Sequence, residues 1–190
     1  MTEPIQAPRT LALVGMPGAG KTLCAKHLEE RDFFQFRFGS IIVDEVVRRG
    51  LEINPENERV VREELREDRM DAIAHLALPK LKDGLKTHRT IVIDGLYSFS
   101  EYKTLKKELG EDMIVVAIIA PRHLRYERLA SRPERPLTPE EAYNRDVTEI
   151  ETIEKGGPIA IADYTLLNDT TGAVVLRKLD ALLQDLGMYP

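Results

Sequence analysis

The stretch Gly15-Met16-Pro17-Gly18-Ala19-Gly20-Lys21-Thr22 constrains this chain more than any other. It fits G-x-x-x-x-G-K-[ST], a loop whose backbone amides cradle phosphates. Before it runs the short apolar segment Thr10-Leu11-Ala12-Leu13-Val14, and after it Leu23 to Glu30, rich in helix formers and free of Gly and Pro. The motif therefore falls between a buried strand and a helix N-terminus. There the orphan amides and the positive end of the helix dipole face an anion. Gly15, Gly18 and Gly20 allow the tight turn. Such a loop binds the donor through Gly15, Met16, Pro17, Gly18, Ala19, Gly20, Lys21, Thr22 and Leu23. Lys21 reaches the β- and γ-phosphates, and the Thr22 hydroxyl ligates Mg²⁺. ATP and Mg²⁺ are the expected cofactors, and a preference for ATP over GTP is not legible. A glycine-rich turn without a ligand is the competing reading, and the full spacing in a strand–loop–helix context disfavours it.

The rest of the chain reads as strands alternating with helices. Strands are expected at about Arg9–Val14, Phe33–Phe36, Thr90–Ile93, Met113–Ala120 and Tyr164–Leu167. Helices follow the loop to about Glu30 and then start at Gly39-Ser40 with Ser40 as N-cap, at Asn54-Pro55, at Ser98, at Pro121 and at Thr138, where Glu141 completes a capping box. The Thr138 helix is expected to end near Gly156-Gly157, and a last helix covers Ala173 to Leu186. Met70, Ile73, Ala74, Ala77, Leu81 and Leu85 recur at helical spacing, so Arg69–Lys86 reads as one long helix that Pro79 kinks or breaks. The alternation implies an α/β fold, a parallel sheet with helices on both faces and ligands beyond the carboxyl ends of the strands. The segment from about 39 to 86 exceeds one crossover helix and reads as an inserted helical lobe. Residues 1–8 read as a frayed tail, and Arg132-Pro133-Glu134-Arg135-Pro136 as a stiff exposed loop.

Composition narrows the function classes. The chain has 190 residues, enough for one domain with a small lobe, and a formal net charge of −5 without a long basic run. That balance argues against nucleic-acid and membrane-surface partners. A polar start with Pro4 and Pro8 does not read as a signal peptide, and a cytoplasmic location is expected. The single cysteine, Cys24, allows no intrachain disulfide and reads as a core thiol. His27, His75, His88 and His123 show no metal-ligand spacing. Asn168-Asp169-Thr170 is read as a chance match to a glycosylation site. Oligomeric state is not legible.

Several side chains are candidates for phosphoryl-transfer chemistry. Asp94 ends an apolar strand on the same sheet edge as the loop, where it could hold Mg²⁺ or its water shell; a turn Asp before Gly95 is the alternative. Arg125, Arg128 and Arg132 share one helix face at i, i+3, i+7 and could close over a triphosphate. Pairing with Glu127 or Glu134 is the alternative. Arg145 has Glu149 at i+4, so a surface ion pair competes there. Arg59, Arg62, Arg66 and Arg69 could bind an acceptor's phosphate. They alternate with Glu58, Glu63, Glu64 and Glu67, and a solvated, salt-bridged face is the better default for most of them.

Together the loop, the inserted segment, Asp94-Gly95, the arginine helix and Ala162-Asp163-Tyr164…Asn168 resemble the nucleoside monophosphate kinase group. The similarity is greatest to an adenylate-kinase-like and dephospho-CoA-kinase-like branch with Gly-Met-Pro-Gly-Ala-Gly-Lys in the loop and Ile-Asp-Gly at the third strand. The resemblance implies a P-loop NTPase fold, a five-stranded sheet in order 2-3-1-4-5, an acceptor lobe (about 39–86) and a short lid (about 128–145). It implies donor binding by Gly15 to Thr22, metal assistance by Asp94, and lid roles for Arg128 and Arg132. Lys21, Asp94, Arg128 and Arg132 are then the catalytic set, Arg128 also contacts the donor, and Thr22 and Asp94 are the metal ligands. The chain departs from the group at Val43 and Tyr97, which stand where arginines usually hold an AMP phosphate, so AMP is expected to be a poor acceptor. The expectation is an ATP-dependent kinase acting on a nucleotide or nucleotide-like small molecule. Dephospho-CoA kinase and a nucleotide-binding switch without a small acceptor are the alternatives.

Overall fold

The computed structural model describes residues 9–133 and 136–190. The sequence-based expectations for residues 1–8 and for Glu134 and Arg135 lie outside the described residues. Five parallel strands, β1 (Arg9–Val14), β2 (Phe34–Arg37), β3 (Thr90–Asp94), β4 (Met113–Ile119) and β5 (Tyr164–Leu167), form one sheet in the order β2-β3-β1-β4-β5. This is the expected order.

The strands are near-continuous apolar runs because both sheet faces are covered. Alternate residues feed two cores. Ala12, Val14, Ile91, Ile93, Val115 and Ala117 pack under α2 (Phe38–Arg48), α3 (Pro55–Asp68), α4 (Ala72–Gly84) and α5 (Phe99–Leu109). Leu11, Leu13, Val92, Ile114, Val116 and Ile118 pack under α1 (Lys21–Glu29) and α9 (Gly172–Asp185). Between β4 and β5 lie α6 (Arg122–Ala130), α7 (Pro139–Glu151) and the short α8 (Gly156–Ala160).

Register puts the functional loops together. Ala12 pairs with Ile93, Arg37 with Asp94, and Val14 with Ala117, so the loops after β1 and β3 leave one edge side by side. The chain leaves β1 toward β2 and leaves β3 toward β4, in opposite directions across the sheet. That reversal opens a crevice between neighbouring strands.

Several boundaries differ from the periodicity. The second helix begins at Phe38, and Ser40 is not its N-cap: Arg37 holds that position, and the Ser40 hydroxyl donates to Arg37 O at 2.7 Å within the first turn. Burial of Phe38, 3% exposed, draws the chain into the helix early. Between α3 and α4, Arg69 is extended and Asp71 takes the N-cap, so the helix expected from Arg69 begins at Ala72. It then passes through Pro79 unbroken, because Ala74, Ala77, Leu78 and Leu81 anchor both of its halves in the core. The Thr138 helix ends at Glu151, before the glycines. A turn with Glu154 at φ +55° brings Lys155 back to donate its N–H to Glu149 O, and Gly156 opens α8.

Two capping boxes fix helix starts, at Thr138 with Glu141 and at Ser98 with Glu101. The second is fully buried: Ser98 accepts from the Glu101 N–H at 2.8 Å, and Glu101 accepts from the Tyr97 and Ser98 N–H groups at 3.0 Å. Ser98→Ala leaves a buried donor without a partner. It is expected to cost about 1–2 kcal/mol. For a chain of this size the melting temperature should fall by about 2–8 °C, measurable by calorimetry.

Candidate active site

The loop Gly15–Gly20 turns between β1 and α1 with Ala19 N–H donating to Met16 O at 3.1 Å. Gly18 at φ +77° and Gly20 at φ +112° are conformations that L side chains avoid. They are also crowded: a Cβ on Gly18 would meet Arg125 O at 2.6 Å, and one on Gly20 would meet Asn168 Nδ2 at 2.4 Å.

Every carbonyl from Gly15 to Ala19 is taken by a side-chain donor. Lys21 Nζ donates to Gly15 O at 2.5 Å and Met16 O at 3.2 Å. Arg125 donates to Pro17 O at 2.9 Å, Arg128 to Gly18 O at 3.4 Å, and Asn168 Nδ2 to Ala19 O at 2.8 Å. With the carbonyls tied back, amides and the N-terminus of α1 are left to face the cleft. No acidic residue occupies the first turn of α1 to compete with an anion.

Arg125 and Arg128 thus differ from arginines standing free over a ligand. Arg125 is 7% exposed and gripped by Asp146 through two bonds of 3.0 and 2.5 Å. Asp146 also accepts from the Tyr126 hydroxyl at 3.2 Å. Arg125 is a brace. Arg128 splits its guanidinium between Gly18 O and Asn168 O, 3.0 Å away, yet still lines the cleft. Arg132, in the loop after α6, lines it too.

The cleft measures about 720 Å³, within the usual size of a small-molecule site. It brings together Pro17, Gly18, Gly20, Lys21, Thr22 and Leu23 with Asp94, Arg128 and Arg132. Gly15, Met16 and Ala19 shape the loop from behind. Seven lining residues are Lys or Arg, and Asp94 and Glu149 are the acidic ones. Burial lowers the Lys21 ammonium to about 7, and the positive charge of Lys155 adds to this, with Glu149 and Asp94 opposing. Among the described residues no group of three or more His, Cys, Asp or Glu could cage a metal. Thr22 and Asp94, both in the cleft lining, are the candidate metal ligands, an oxygen pair of the kind that suits Mg²⁺.

Lys155 escapes sequence reasoning, whereas Arg145, Arg62 and Arg66, for which a surface pair or a solvated face is the competing reading, line the cleft. Lys155, 4% exposed, pairs with Glu149, and its Nζ stands 4.7 Å over the Tyr97 ring. Burial lowers the Lys155 pKa, with Glu149 opposing. Arg145 makes the expected i, i+4 pair with Glu149 at 2.9 Å, but this pair lines the cleft. Arg62 and Arg66 also face it. Only their neighbours Arg59 and Arg69 behave as the expected salt-bridged face, with Glu56, Glu63 and Asp71.

Residues 11–153 match the family model of an AAA domain. A UPF0200 protein of Thermococcus onnurineus is 34% identical over 178 residues, covering 92% of this chain and 96% of its own. The chain belongs to the UPF0200 family. A second UPF0200 protein, from Thermococcus gammatolerans, is 36% identical over 176 residues and covers 90% and 92% of the two chains. Among solved structures, the UPF0200 chain is similar to TT1252 from Thermus thermophilus, with a TM-score of 0.64, 16% identity and 95% and 99% of the chains covered. It is similar as well to a shikimate kinase from Bacteroides thetaiotaomicron, with a TM-score of 0.58, 14% identity and 93% and 98% covered. These likenesses establish a P-loop kinase-like fold. Among the described residues, no helix of the UPF0200 chain is long and apolar enough to cross a membrane.

The Arg125 brace is testable. Asp146→Ala strands a buried guanidinium and is expected to destabilise the protein by about 3–5 kcal/mol. Glu63→Ala, which breaks an exposed pair, should cost about 1 kcal/mol or less. Urea titrations of the two variants compare them.

Proposed function

We propose that this protein is a kinase that transfers the γ-phosphoryl group of ATP to a nucleotide or nucleotide-like small molecule. One observation carries the reading. A single cleft is lined by the phosphate loop, by Asp94 and Tyr97, and by a second cationic group, Arg62 and Arg66 of α3. A switch that only binds and hydrolyses a nucleotide needs no second compartment. Asn168, part of the tail that resembles dephospho-CoA kinases, holds Ala19 O; it speaks for the loop rather than for a particular acceptor.

The residues take their roles from this layout. On donor binding Lys21 exchanges the carbonyls of Gly15 and Met16 for β- and γ-phosphate oxygens. The amides of Gly18 to Leu23 surround the phosphates. Thr22 and Asp94 are the residues that would hold Mg²⁺, whose chemistry there is to neutralise phosphate charge. Arg128 and Arg132 place guanidiniums where charge spreads over the transferring group. An acceptor oxygen forms the new bond to the γ-phosphorus as the bond to the β,γ-bridging oxygen breaks, and ADP leaves with that electron pair. Arg128 keeps its bonds to the loop, which makes it a fixed donor, and Arg132 lines the same cleft from the segment after α6. A lid over this site would exclude water from the transfer.

The test begins with Lys21→Ala. The buried ammonium is held well below its ordinary range, so its removal should leave the melting temperature unchanged or higher while phosphoryl transfer is lost. Near-native turnover in a coupled ADP-release assay over a panel of acceptors would sink the reading, as would release that ignores every acceptor.

Lys21 also sets a pH dependence. In the free protein its pKa is about 7, and bound phosphates hold it charged. Affinity for MgATP should therefore be flat below pH 7 and fall above it. The fall should approach about tenfold per pH unit. Binding near pH 8 should take up close to one proton. Calorimetry in buffers of different ionisation enthalpy measures that uptake.

A further inference from the structure

We infer that the α3 wall of the cleft is an anion site for a phosphate monoester borne by the acceptor, held by Arg62 and Arg66. The inference rests on the kinase reading and names the substrate class. The two residues are spaced i, i+4 and share one face of α3. Outward neighbours are neutralised: Arg59 by Glu56 and Glu63, and Arg69 by Asp71. Arg62 makes no ion pair among the described residues, although it lines the cleft.

Arg66 forms an ion pair with the buried Glu101 that engages only part of its guanidinium. Its Nη2 donates to Glu101 Oε1 at 3.3 Å, while the other Glu101 oxygen is occupied by the Tyr97 and Ser98 N–H groups. Its Nε is buried with no hydrogen-bond partner among the described residues. The remaining acidic groups of the cleft do not balance this wall. Glu149 is shared by Lys155 and Arg145, and Asp94 lies at the Lys21 end.

Arg62 has no acidic partner among the described residues, and Arg66, paired with one oxygen of Glu101, keeps an Nε without a partner; a phosphate monoester, with about two negative charges and three acceptor oxygens at neutral pH, suits these donors better than a carboxylate does. Tyr97 lines the same cleft, and burial keeps its phenol protonated as a donor. Phe38, Ile42 and Ile73 give the adjoining wall an apolar surface for the body of the ligand. Charge for the acceptor thus comes from α3, and neither Val43 nor Tyr97 has to supply it.

The experiment is a calorimetric titration of the full chain, with and without Mg²⁺–AMPPNP. The probes are AMP, GMP, CMP and UMP, each compared with its nucleoside. At least one monophosphate should bind about tenfold or more tightly than its nucleoside. Arg62→Gln should erase most of that difference, and Arg59→Gln, on the same helix but facing out, should not. Arg66→Gln should act like Arg62→Gln. Because it also touches Glu101, a melt accompanies it and Arg62→Gln alone decides. Equal binding of every monophosphate and its nucleoside, or an Arg62→Gln protein that keeps the discrimination, overturns the site. A wild-type chain that fails to bind Mg²⁺–AMPPNP sinks the kinase reading instead, so the two failures are distinct.

Discussion

A backbone that is to bind an anion must first dispose of its carbonyls. In this protein five consecutive carbonyls, from Gly15 to Ala19, are each met by a side-chain donor. The donors come from α1, α6 and the end of β5, so the loop is held by elements from distant parts of the chain. Much of the nearby packing follows. The glycines at 18 and 20 are small because Arg125 and Asn168 must come close, and Asp146 is buried because Arg125 must be oriented without remaining an unpaired charge.

The chain is acidic as a whole while its cleft is cationic. The acidic residues are spent outside, in pairs such as Glu56–Arg59 and Asp83–Lys86, or on bracing basic ones, as Asp146 does. Inside the cleft Lys21 and Lys155 repel one another, and a phosphate placed between them would relieve that repulsion. The same concentration of charge should draw anionic ligands from a distance in spite of the negative total.

What was legible in the sequence was local. The loop motif, the five strands, the Thr138 capping box and Asp94 at the strand end need only neighbouring residues or a motif to be read; the strand order is implied by the family resemblance. Lys155 follows Glu149 by six residues, which is no helical spacing; only the turn after α7 brings the two together. Arg62 and Arg66 share composition with Arg59 and Arg69, and their direction is set by how α3 docks. Pro79 follows the same logic: its backbone cost is local and visible, whereas the packing that overrides it is not. Arg125 looked like a possible ligand because its partners, Pro17 and Asp146, are 108 and 21 residues away.

The first turn of α5 has a wider consequence. Glu101 ties it to Arg66 of α3, while Ser100, through its N–H and hydroxyl, donates to Glu154, next to Lys155. One helical turn thus joins the α3 wall to the turn that carries the buried lysine. Any exchange of α2–α4 between relatives, by recombination or by design, would strand the Glu101 carboxylate unless α5 travelled too. The natural unit of specificity here is therefore discontinuous in the chain: three helices ending at Gly84 and a single turn that starts at Phe99, changing together or not at all.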